Sequence, residues 1–255
     1  MAEYRKILYS LDGPVARLTL NRPDKRNALD AEMIAEIRRA LADSAANAEV
    51  RVVLLSGAGK DFCAGADLAA LHQIANATVT ENVADARQLA DVFLDMRRHP
   101  RPIVAAVRGR ALAGGCGIAT AADIILATES AQFGYPEVKI GFVPAMVMAI
   151  VRRSVSEKRA FELLTGGESF SARTALEIGM INRIFPDASF DQEVQSYAAQ
   201  LAARSASALA LTKSLLYQID AMAFEAALSA GVNINAIARQ TDDCRHGIEQ
   251  FLKKP

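Results

Sequence analysis

Three segments of the chain carry residue types that can hold or move charge. Lys60-Asp61-Phe62-Cys63-Ala64-Gly65-Ala66-Asp67-Leu68 is a run of small residues between an apolar strand and the start of a helix. Gly65 lifts the steric barrier to unusual backbone angles, and the amides after it sit where a helix N-terminus leaves donors unpaired. Such donors suit an anion, although a plain strand-to-helix turn needs the same residues. Val107-Arg108-Gly109-Arg110-Ala111-Leu112-Ala113-Gly114-Gly115-Cys116-Gly117 repeats the device. There Gly114 and Gly115 permit close backbone approach, and the dipole of the following helix favours negative charge. The third segment, residues 131–144, sets Glu137 beside Pro136 among apolar neighbours. A carboxyl in that setting is placed for desolvation, which lifts its pKa toward the range useful for proton transfer; read alone, a solvated loop residue is the commoner outcome.

Other chemistries fail on spacing. The second segment lacks the G-x-G-x-x-G pattern of a dinucleotide site, Gly57-Ala58-Gly59-Lys60 lacks the upstream Gly and the Ser or Thr of a phosphate-binding loop, and no G-x-S-x-G is present. His72, His99 and His246 have no nearby Ser nucleophile or metal partner, so surface or capping roles are expected. Cys63, Cys116 and Cys244 are odd in number and widely spaced, which argues against a disulfide framework and against a metal site. Cys63 and Cys116 read as small packing residues. Lys plus Arg and Asp plus Glu are equal at 29 each, so overall charge gives no steering toward nucleic acid or an anionic membrane. The apolar run at residues 142–151 contains Pro144 and falls short of the roughly 20 residues that cross a bilayer; it reads as a buried helix. Met1-Ala2-Glu3-Tyr4-Arg5-Lys6 places charge where a signal peptide needs an apolar core, and with the unpaired cysteines this leads us to expect a cytoplasmic protein.

These segments need elements that position them. Residues 15–20 read as a strand broken by Asn21-Arg22-Pro23-Asp24, and a helix follows with Asp30 as N-cap and Met33, Ile34, Ile37 and Leu41 on one face. Residues 51–55, 102–107 and 123–127 read as buried strands, the first two running into the Gly-rich loops. Short apolar strands separated by helices predict an α/β class with mostly parallel pairing. Beyond residue 145 only 181–185 reads as a strand, among helices at 157–164, 174–178 and 190–203. Residues 208–254 hold no Pro and only two Gly, so helices fill them. We place a soft boundary near Ala206, with residues 1–206 as the catalytic core and 207–255 as a helical oligomerisation region.

Taken together, F-C-A-G-A-D-L at Phe62 to Leu68, A-G-G-C-G with the following A-x-D-I at Ala113 to Ile124, and F-G-x-P-E-x-x-x-G-x-x-P at Phe133 to Pro144 resemble the crotonase superfamily, the enoyl-CoA hydratase/isomerase family. Asn21-Arg22-Pro23, Asn27-Ala28-Leu29, Thr241-Asp242-Asp243, Gly247 and Phe251-Leu252 extend the match over nearly the whole chain. The resemblance implies a ββα spiral core with a C-terminal helical region and an acyl-CoA thioester substrate. CoA is then part of the substrate, and no separate cofactor is implied. It further implies an oxyanion hole from the amides of Ala66 and Gly114, with Glu137 as acid and base. Lys25, Arg26 and Ala28 would contact the nucleotide end of CoA. Ala64, Asp67, Leu68 and Gly115 would lie along the bound thioester, with Phe251 and Lys253 reaching it from the C-terminus. The acyl group would face residues 71–78, Met146 and Met148. A homo-oligomer, a trimer or a pair of trimers, is also implied.

Family hydratases use a second glutamate, and its position here is Gly117. Asp67, the nearest other carboxylate, reads better as a helix cap. Three readings therefore stand: hydration of a 2-enoyl-CoA, of branched or glutaconyl type; a double-bond isomerase working with one glutamate; and a non-catalytic acyl-CoA-binding or scaffolding module.

Overall fold

β-Branched and leucine residues alternate along the buried strands, and the alternation sorts them onto two faces of one sheet. The computed structural model describes residues 4–253; Met1, Ala2, Glu3, Lys254 and Pro255 lie outside the described residues, as does the side chain of Leu68. The chain begins with a hairpin of β1 (Ile7–Asp12) and β2 (Val15–Leu20), then α1 (Ala31–Ala46), β3 (Val52–Gly57), α2 (Leu68–Ile74) and α3 (Val79–Arg98). Next come β4 (Ile103–Val107), β5 (Arg110–Leu112), α4 (Gly114–Ala121), β6 (Ile124–Thr128) and β7 (Gln132–Gly134). After a 3-10 segment at Pro136–Ile140 follow α5 (Ala145–Ser154), α6 (Glu157–Gly166), β8 (Ser169–Ser171), α7 (Ala172–Glu177), β9 (Arg183–Phe185) and α8 (Phe190–Ala202). The chain closes with α9 (Ala206–Gln218), α10 (Phe224–Gln240) and α11 (Asp242–Leu252).

The main sheet has the order β1-β2-β3-β4-β6-β9, antiparallel only at the β1–β2 hairpin. Every residue of β4 is buried, as a central parallel strand covered on both faces requires. Because side chains alternate along a strand, Val53, Leu55, Ile103, Ala105 and Val107 join the large core under α1, α3 and α4. Their neighbours Val52, Leu54, Val104 and Ala106 pack instead against Phe190, Val194, Ala198 and Ala202 of α8. A smaller sheet, β5-β7-β8, stands beside the main one. No helix among the described residues is long and apolar enough to cross a membrane.

Two expectations change. The apolar run at 142–151 is helical only from Ala145, with Pro144 as N-cap, and Phe142 and Val143 are exposed. His99 is buried: it caps α3, its ring shares hydrogen bonds with Ser44 Oγ and the Arg101 backbone, and burial lowers its pKa.

The C-terminal helices dock through one buried charge. Lys213 Nζ donates to Asp123 Oδ2 at 2.7 Å and to the carbonyls of Met96 and Arg101. Asp123 also accepts from the Ile103 amide and, at 2.5 Å, from the Tyr217 hydroxyl. Removing Lys213 leaves the half-buried Asp123 carboxylate without its countercharge, at about 1–3 kcal/mol. Lys213→Ala should therefore lower the urea midpoint strongly, while Lys158→Ala on the exposed face of α6 should leave it nearly unchanged.

Candidate functional site

The loop after β3 and the loop after β4 meet because the first threads between the second and the stretch before α1. Cys63 N donates to Arg110 O at 3.0 Å and Leu112 N donates to Cys63 O at 2.9 Å, a parallel bridge between Cys63 and Ala111. Three residues on, Leu29 N donates to Gly65 O at 2.8 Å and Asp67 N to Leu29 O at 2.9 Å. That second bridge uses the groups flanking Ala66, so the Ala66 amide points the other way, and it has no hydrogen-bond acceptor among the described residues. Gly65 makes the crossing possible. Its φ is +96°, and a Cβ there would lie 2.8 Å from Ala113 Cβ.

Gly114 is the first residue of α4, one of the four whose amides a helix leaves unpaired, and its N–H likewise finds no acceptor among the described residues. The residue before it, Ala113, holds φ 49° and ψ −129°, a strained conformation for a residue with a Cβ, fixed by its amide donating to Gly134 O at 2.8 Å. Gly115 faces inward: a Cβ there would lie 2.5 Å from Cys63 Sγ, so its smallness lets α4 rest on the first loop.

Glu137 stands in the first turn of the 3-10 segment that follows β7. Tyr135, fully buried with its hydroxyl sharing a hydrogen bond with Thr120, anchors the segment at one end, and Gly141 in the left-handed region closes the other. Oε2 of Glu137 is buried with no hydrogen-bond partner, and burial raises the carboxyl's pKa above its usual range.

A cavity of about 460 Å³ joins these parts, lined by Ala64, Ala66, Gly114 and Glu137. Its remaining wall is largely apolar, with Leu71 and Ile74 of α2, Ile140, Phe142, Val143 and Met146. Asp30 and Asp85 also reach it, but Asp30 caps α1 and pairs with Arg22, and Asp85 is exposed. Of the other residues singled out from the sequence, Lys25, Arg26, Ala28, Asp67 and Gly115 do not line the cavity, and the side chain of Leu68 lies outside the described residues. Lys25 and Arg26 are exposed on the preceding loop, which is pinned by the buried Asn27 amide donating to the carbonyls of Ala58 and Asp61. Asp67 caps α2 through the Ala69 amide and accepts from Arg22 at 2.8 Å, which holds its carboxyl below the usual range. Met148 is exposed outside the cavity, as are Phe251 on the C-terminal helix and Lys253 just beyond its end. Cys63 and Cys116 are buried, and burial pushes their thiols up to about 12 and about 11, consistent with packing and not with nucleophilic roles.

Sequence reasoning placed Ile34 on one face of a helix and Phe142, Val143 and Val147 in a buried helical run without reading any of them as lining residues, and it did not single out Leu89. Their apolar types signal burial without saying which burial faces a cavity. The arrangement offers two free main-chain donors near an uncompensated carboxyl within an apolar enclosure. That combination suits a substrate whose carbonyl oxygen gains charge while a neighbouring carbon gains or loses a proton.

A family model described as Enoyl-CoA hydratase/isomerase matches residues 11–255. The chain is 41% identical over 242 residues to a provisionally named enoyl-CoA hydratase of Thermus thermophilus, covering 95% of this chain and 96% of that one. It is 31% identical over 251 residues to the 2,3-dehydroadipyl-CoA hydratase of Escherichia coli, covering 98% and 96%. Among solved structures, the enoyl-CoA hydratase of Mycobacterium smegmatis superposes with a TM-score of 0.94 at 31% identity, covering 98% of this chain and 96% of that chain.

Proposed function

Since the chain belongs to the enoyl-CoA hydratase/isomerase family, with the crotonase fold, we propose that it adds water across the 2,3-double bond of a 2-enoyl-CoA. The observation that carries this reading is the buried, unpartnered carboxylate of Glu137 sharing one cavity with the unpaired amides of Ala66 and Gly114. The thioester oxygen accepts from both amides. As a water oxygen bonds to C3, ionised Glu137 takes its proton, the electrons of the double bond move onto the thioester as an enolate, and Glu137 returns a proton to C2. The amides bind the enolate oxygen more tightly than the neutral carbonyl, and this difference lowers the barrier. Lys25 and Arg26 remain our candidates for the phosphates of CoA, where flexible cations suit the charge. Within 2-enoyl-CoA esters we favour branched or glutaconyl-type acyl groups, the apolar wall supporting the branched kind. Loss of the conjugated-thioester absorbance with each member of a CoA-ester panel, followed by product identification, tests the reading; no hydrated product from any member overturns it.

A second reading is favoured by one observation: Glu137 is the only carboxyl of the cavity with a buried, unpartnered oxygen among the described residues. One such group is enough to carry a proton between C2 and C4, as a double-bond isomerase requires. Supplying a 3-enoyl-CoA separates the two, since only the isomerase converts it to the conjugated ester.

Two further expectations follow from the same reading. Glu137 must start ionised, so kcat/KM should fall as pH drops through its raised pKa, at a higher pH than for a solvent-exposed glutamate. A pH-rate profile flat to below the ordinary carboxylate range would contradict this. We also propose assembly into trimers or hexamers through the C-terminal helices, where Leu216, Phe224, Leu228, Val232 and Ile237 are exposed. Sedimentation of a monomer at micromolar concentration would refute it.

A further inference from the structure

Gly117 marks the place where a second carboxylate would stand, and the structure shows what occupies the room beside it. A Cβ built on Gly117 would lie 2.4 Å from Val147 Cγ1 and 3.0 Å from Phe93 Cζ. Val147, on α5, is 3% exposed and lines the same cavity as Glu137, Ala66 and Gly114. Gly117 itself is buried and does not reach the cavity. The space through which a side chain at 117 would enter the cavity is thus taken up by an isopropyl group approaching from α5, across the α4–α5 contact.

We infer that Val147 is a specificity-determining residue: it fills the slot of a side chain at 117, keeps a second carboxylate out of the cavity and leaves Glu137 as the single proton carrier. This rests on the reading of the site as one that protonates or deprotonates an enolate. A second acidic side chain would give the attacking water a second acceptor, which helps hydration and does nothing for transfer of one proton between C2 and C4. An apolar group in the same place withholds that help and keeps the floor of the cavity dry. The residue at 147 therefore sets the balance between the two reactions.

The test is a compensating pair. Gly117→Ala places a methyl against Val147 Cγ1 and should lower Tm by roughly 5 °C. Val147→Ala removes the two γ-carbons, leaving 3.0 Å to Phe93 Cζ as the tightest remaining contact, so Gly117→Ala should cost much less in that background. Gly117→Glu with Val147→Ala should then raise the hydration-to-isomerisation ratio about 10-fold or more over Val147→Ala alone. Equal Tm for Gly117→Ala and the parent overturns the inference, as does a folded double variant whose product ratio matches that of Val147→Ala. Failure of the underlying reading looks different: the parent then acts on neither 2-enoyl- nor 3-enoyl-CoA, and the double variant gains neither reaction.

Discussion

Replacing Glu137 by Gln should reduce turnover by about 10²-fold or more while leaving binding of a CoA ester little changed. Gln keeps the size and hydrogen-bonding capacity of the side chain but cannot carry a proton. The effect should be large because no other carboxyl of the cavity has a buried, unpartnered oxygen among the described residues. Asp30 is committed to the α1 N-terminus and to Arg22, Asp85 is exposed to solvent, and Asp67, outside the cavity, is committed to the α2 N-terminus and the same arginine. The variant should keep its fold, since Oε2 of Glu137 makes no hydrogen bond that the structure depends on. It should also lose the acid limb of the pH-rate profile. Near-normal turnover with unchanged pH dependence would remove Glu137 from the mechanism.

Gly114→Pro should cost about 10²–10³-fold in kcat. Proline deletes the one group proposed to act there, the N–H, at a position where helices accept proline because that N–H has no intrahelical partner. Room is limited, with Leu89 Cδ2 at 3.3 Å and Leu29 Cδ1 at 3.5 Å from a Cβ at 114, and the left-handed Ala113 precedes it. Gly114→Ala serves as the control: it brings the same Cβ but keeps the amide. Loss of rate in the proline variant alone, with both variants cooperatively folded, assigns the effect to the donor. Equal losses in both would make it steric.

The loops around the site were legible because their chemistry depends on small residues and glycines, and these announce themselves in any register. Gly65 and Gly114 stand where the backbone comes close to another strand or to the cavity, and Glu137 is the lone acid in an apolar stretch. The strands 51–55, 102–107 and 123–127 were legible as continuous apolar runs, and the structure places each within a residue or two. What escaped was of two kinds. β5, β7 and β8 are three residues long, too short to show a two-residue period, and β1 is an edge strand whose Leu8 and Leu11 face outward, blurring its pattern. α3 was overlooked although Thr78 and Glu81 form a capping box at its start, a signal the sequence carries openly. The contacts that complete the site are long-range. Val147 lies thirty residues from Gly117, and no local pattern records that one fills the other's space.

The Lys213–Asp123 pair has a consequence for the order in which the chain is made. Asp123 emerges from the ribosome with the sheet strand that follows it, and its carboxylate is drawn under the Ile103 amide as β4 and β6 pair. Its countercharge and the Tyr217 hydroxyl arrive about ninety residues later. Until then the carboxylate has the Ile103 amide but no countercharge, and the surface that α9 will cover stays open to water. Residues 66, 114 and 137 are all synthesised before that point. A chain ending before Lys213 should therefore expose its β4–β6 seam to proteases more readily than the full chain.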